Sequence, residues 1–205
     1  MKVGFFLVLF LMLFSLPERS QAGDYQITPL VGYTVGGRFD STFNDETYDV
    51  SENANYGVIL GLRDRSRADE AFFEFLYSRQ ESDFEPADAA LSGDSRFTVD
   101  INYFHLGGRY GKSGGQFNPF VAGGIGATLF SPEQGDAETR FSFSLGGGIM
   151  IPLSEHIDLR FEGRGFGTLF NSRGELFCVD GRCAARIDSD LFWQFSGFAG
   201  ITLSF

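Results

Sequence analysis

The chain is poor in the residues on which enzymatic and metal chemistry rests: two histidines and two cysteines among 205 residues. Cations are scarce too, with 16 Lys and Arg against 27 Asp and Glu and a net charge of −11. Nucleic acid is therefore excluded as a partner, because phosphate binding needs a basic face. Beyond residue 22 no apolar run reaches 18 residues, which excludes helical membrane spans on length. No loop carries EF-hand spacing, so no metal is expected. Gly111-Lys112-Ser113 has the end of a phosphate loop, but Leu106 stands where its first glycine belongs. That stretch reads as a turn, and no cofactor is implied.

Glycine, with 27 residues, and phenylalanine, with 25, are abundant. A soluble domain this aromatic needs a large interior to hide its rings, and a bilayer offers another place for them. The first 22 residues read as an export signal: Lys2, an apolar run from Val3 to Phe14, Pro17, then the small-residue site Ser20-Gln21-Ala22. Cleavage near Ala22 is expected to leave one domain, 23–205, with 14 basic against 26 acidic side chains.

Within that domain the dominant signal is alternation at period two in segments of roughly ten residues, the mark of a strand with two differently solvated faces. From Arg140 to Ile151, Phe141, Phe143, Leu145, Ile149 and Ile151 share one face and Arg140, Ser142, Ser144 and Gly148 the other. From Ile157 to Phe170 the polar face is charged: Asp158, Arg160, Glu162 and Arg164. Strands are predicted over 24–37, 54–63, 70–80, 97–110, 117–130, 139–151, 156–170 and 191–205. The fourth shows Val99, Ile101 and Tyr103 on one face and then Phe104, Leu106 and Tyr110, a slip that suggests a bulge or a wrong phase.

Links 38–53, 81–96 and 171–190 are long and polar and 131–138 is intermediate, whereas 64–69, 111–116 and 152–155 are short. Long outer loops and short periplasmic turns are the asymmetry of a transmembrane antiparallel up-and-down β-barrel of about eight strands, with both termini inside. Closure is what makes such a sheet possible, since hydrocarbon tolerates no unpaired backbone amide. Tyr25, Tyr33, Tyr56, Tyr77, Tyr103, Tyr110 and Trp193 are candidates for the interfacial aromatic girdles. The glycine clusters would relieve crowding in so small a barrel and let aromatic rings lie over bare backbone.

Asn118-Pro119-Phe120 leading into Gly123-Gly124-Ile125-Gly126, the partner run Gly146-Gly147-Gly148, and the terminal Ala199-Gly200-Ile201-Thr202-Leu203-Ser204-Phe205 carry a resemblance. They are similar to the eight-stranded outer-membrane β-barrel proteins of the OmpX, OmpW and OmpA-barrel type. The resemblance covers 23–205 and implies fold and location: a Gram-negative outer membrane, contact with its lipid and lipopolysaccharide, and a monomer. Ile201, Leu203 and Phe205 resemble the C-terminal signal read by the barrel assembly machinery. Activity is implied only weakly, because one fold serves many functions. Two enzymes of this architecture act on lipid A, but neither His105 nor His156 stands in the His-x-Ser motif of the deacylase among them.

The candidate site is a charge network in the lumen: Arg63, Glu74, Asp100, Arg140, Asp158, Arg160, Glu162 and Arg164. Buried charges must pair, so these either plug the barrel or gate a narrow pore. Cys178 and Cys183 flank an Asp180-Gly181 hairpin tip in a chain bound for an oxidising compartment, and a disulfide is expected. The acidic links (Asp40, Asp45, Glu46 and others) would sit beside lipopolysaccharide and its bridging divalent cations. The reading that follows is a non-enzymatic barrel serving envelope integrity or surface interaction. The alternatives are a narrow channel for small or apolar solutes and, behind it, a lipid A-modifying enzyme.

Overall fold

The computed structural model describes residues 24–36, 38–41, 46–50, 53–64, 70–86, 97–112, 114–132, 137–170, 175–179, 182–186 and 191–205. The export signal lies outside the described residues. Eight long strands build the wall: β1 (Tyr25–Val35), β4 (Asn53–Arg63), β5 (Glu70–Pro86), β6 (Phe97–Gly111), β7 (Asn118–Pro132), β8 (Glu138–Pro152), β9 (Ile157–Leu169) and β12 (Leu191–Ser204). Each pairs antiparallel with its neighbours, β5 pairs β6 and β1 pairs β12, so the sheet closes on itself. The first link forms β2 (Arg38–Ser41) and β3 (Glu46–Val50), and β3 extends the sheet along the far end of β5. The last link forms a separate hairpin of β10 (Glu175–Val179) and β11 (Arg182–Arg186).

The predicted strands match this wall to within a few residues, apart from β5, which runs further. The period-two argument explains why: a side chain in contact with hydrocarbon must be apolar at every second position. Tyr25, Val31, Tyr56, Leu62, Phe73, Leu106, Leu145, Phe161 and Phe195 are all exposed on the outer face. Tyr103 is an exception to the proposed girdle, for it faces inward and is buried. The fourth strand contains no bulge, since β6 pairs without interruption against β5 and β7. The phase was wrong instead: Val99, Ile101 and Tyr103 point into the lumen together with His105 and Arg109.

Glycine makes room for this interior. Across the sheet, Gly107 stands opposite Glu74, Gly126 opposite His105, Gly146 opposite Arg164 and Gly200 opposite Arg160. On the outer face the rings of Phe143 and Phe195 lie over Gly167 and Gly165. The space around each glycine sets its mutational cost. A methyl at Gly107 would run into the Gly123 carbonyl and the Gly124 backbone, whereas one at Gly163 meets nothing within 4 Å. Gly107→Ala is expected to lower stability by about 1–3 kcal/mol by overpacking, with Gly163→Ala close to neutral. Urea midpoints in detergent micelles would read the difference, and equal midpoints would contradict it.

Candidate functional site

Among the described residues, five charged side chains are almost wholly buried: Glu74 on β5, Arg109 on β6, and Arg160, Glu162 and Arg164 on β9. All lie inside the half of the barrel nearer the short turns. Arg160 donates from Nη1 and Nη2 to the two oxygens of Glu74 at 2.7 and 3.1 Å, and from Nε to Glu162 at 2.9 Å. Arg164 Nε donates to the other Glu162 oxygen at 2.6 Å. Arg109 donates to Glu74 at 3.1 Å and to the Gln26 side chain at 2.9 Å. Forked guanidinium to carboxylate bonds of this kind are the strong ones. The rings of Phe72 and Phe120 cover the guanidinium faces of Arg109 and Arg160 at 4.3 and 4.7 Å.

β5 and β9 lie four strands apart in either direction around the wall, so the Glu74 to Arg160 contact spans the full width of the lumen. Above it, His105 is held between two hydroxyls of β8, with Nδ1 2.8 Å from Ser144 Oγ and Nε2 2.8 Å from Ser142 Oγ. Arg164 also donates to Ser144, at 3.4 Å. Further toward the long links Tyr103 and Phe166 extend the filling, in one buried apolar cluster with Leu30, Ile59, Leu76 and Phe198. Tyr103 stacks on Phe166 with ring centroids 4.2 Å apart, and its hydroxyl donates to Gln194 Oε1 at 2.5 Å.

The structure thus brings together four of the eight predicted network residues: Glu74, Arg160, Glu162 and Arg164. Arg63, Asp158 and Arg140 face inward but lie at the two ends of the lumen and are only partly buried. Arg63 sits near the Phe72 ring, and Arg140 pairs with Glu138 at 2.8 Å. Asp100 is a correction. It belongs to the outer face of β6, near the long links, where it pairs with Arg79 at 2.7 Å. The phase error in the fourth strand put it inside. The same error hid Arg109, which the outward positions Phe104, Leu106 and Tyr110 would have located by parity.

The profile of the outer membrane protein beta-barrel domain family matches residues 6–176. The chain belongs to that family. The outer-membrane barrel also resembles solved structures: Neisserial surface protein A, with a TM-score of 0.60 at 10% identity over 91% of this chain and 100% of that one. The outer membrane protein OprG from Pseudomonas aeruginosa gives 0.58 at 12% identity over 90% of this chain and 96% of that one. At such identities the likeness shows the fold alone. No curated protein matches the sequence.

Other predicted residues of the barrel fall where they add nothing to the lumen. Ile201, Leu203 and Phe205 lie exposed on the outer face at the end of β12. Cys178 and Cys183 occupy facing positions of the β10 and β11 hairpin, but their side chains lie outside the described residues. So do those of the acidic first link. Among the described residues no group of three His, Cys, Asp or Glu side chains could hold a metal.

Proposed function

We propose that the protein is a sealed, non-enzymatic anchor in the outer membrane, acting through the surfaces at its long-link end in envelope integrity or contact with partners. The observation behind this reading is that the lumen is filled twice, by a charged layer and then by an aromatic one. A channel would need both layers to part. Catalysis finds no support in the one histidine of the interior, since His105, Ser142 and Ser144 are all buried without room for a substrate. Lipid and lipopolysaccharide are the contacts such a wall would make, and the assembly machinery the partner that would insert it. Purified protein in planar bilayers is expected to show background conductance only. A steady open-pore current would replace this reading with the channel, and loss of a lipid A modification on gene deletion would replace it with the enzyme.

A further inference from the structure

Seven of the eight seams in the wall pair without a break, and the eighth, β1 against β12, does not. Its pairing runs through Gln26 with Ser204 and Ile27 with Leu203, skips two positions, and resumes at Leu30 with Gly200. The register is the same on both sides of the break, so no residue has been inserted. A donor is missing instead. Pro29 has no N–H, and the register sets it opposite Ile201, whose carbonyl loses its ladder bond. Hydrocarbon supplies no water in its place. Proline is ordinarily confined to edge strands, and β1 is an edge only while the barrel is open.

On the lumen side three side-chain hydrogen bonds bridge this same seam: Gln26 to Ser204 at 3.1 Å, Thr28 with Thr202 at 2.8 Å and Thr34 with Ser196 at 2.7 Å. Thr28 and Thr202 stand at the break itself. Both hydroxyls are shielded from solvent, so their bond does not compete with water. We propose that the β1 to β12 seam is a latched weak point, the place where the closed wall opens first, and that the Thr28 and Thr202 hydroxyls are its latch. The backbone alone holds this seam less firmly than any other, and the side chains inside it supply the difference.

Hydrogen exchange of the full folded chain in detergent micelles, followed by mass spectrometry, tests this directly. Amides of 27–31 and 199–203 should exchange faster than those where β7 meets β8. Pro29→Val restores the donor and should slow exchange at the seam about five-fold, the worth of one hydrogen bond, while Thr28→Val should speed it by a similar factor. Thr128→Val removes a comparable hydroxyl pair, Thr128 with Thr168 at 2.9 Å, away from the seam, and should leave seam exchange unchanged. Equal protection at the two seams of the unaltered protein overturns the proposal whether or not Pro29→Val folds. So does a folded Pro29→Val protein that exchanges as fast as the parent, or a Thr28→Val protein that exchanges no faster.

Discussion

Replacing Glu74 with alanine is expected to be among the most damaging single changes in the barrel, at about 3–5 kcal/mol of stability. Its carboxylate accepts from Arg160 at 2.7 Å and from Arg109 at 3.1 Å, and Arg164 lies 3.8 Å away. Without it Arg160 and Arg164 are left with the carboxylate of Glu162, and Arg109 loses this carboxylate partner and keeps Gln26. Each guanidinium keeps its charge at any workable pH, so the cost cannot be relieved by losing a proton. Glu138→Ala is the comparison to make. That residue pairs with Arg140 at 2.8 Å, but both side chains are more than a fifth exposed, and such pairs contribute about 0–1 kcal/mol. Urea unfolding in micelles, together with the heat-dependent gel shift of folded barrels, measures both variants. A Glu74→Ala midpoint within error of Glu138→Ala would show that the strut is not what holds the wall.

The outer face of this barrel was legible in the sequence and the inner face only in part, for one physical reason. Hydrocarbon accepts a single class of side chain, so Phe141, Phe143 and Leu145, or Tyr56, Val58 and Leu60, announce their side without ambiguity. A closed lumen accepts two classes. It holds charges where they can pair, as on β9, and it equally holds Val99, Ile101 and Tyr103 where they can pack. Apolar residues therefore say nothing about phase in a strand whose inner face is also apolar, and β6 was misread there. Parity counted back from Tyr110, Leu106 and Phe104 would have corrected it and brought in His105 and Arg109. Glycine was a second signal: Gly107, Gly126 and Gly146 each stand beside a large lumen group. Which charges meet across the lumen was not legible, because that depends on the relative register of strands as far apart in sequence as β5 and β9.

The two layers of filling make a prediction about conduction that neither layer makes alone. Glu74→Ala breaks the charged layer by removing the strut, yet conductance is expected to stay at background, because Phe166, Phe198 and Tyr103 still close the lumen above it. Phe166→Ala with Phe198→Ala opens the aromatic layer, and again no current is expected, since the Glu74 to Arg160 strut still crosses the full width below. Only the variant that combines all three substitutions should conduct. Each Phe→Ala change costs about 3–5 kcal/mol of packing, so the gel shift must first establish that the protein is folded. Folded protein in planar bilayers then gives the answer. Background current in the two partial variants and discrete openings in the combined one would establish two seals in series. Openings from Glu74→Ala alone would mean that the charged layer is the only barrier, and the barrel would then be a gated pore whose aromatic residues line the path instead of blocking it.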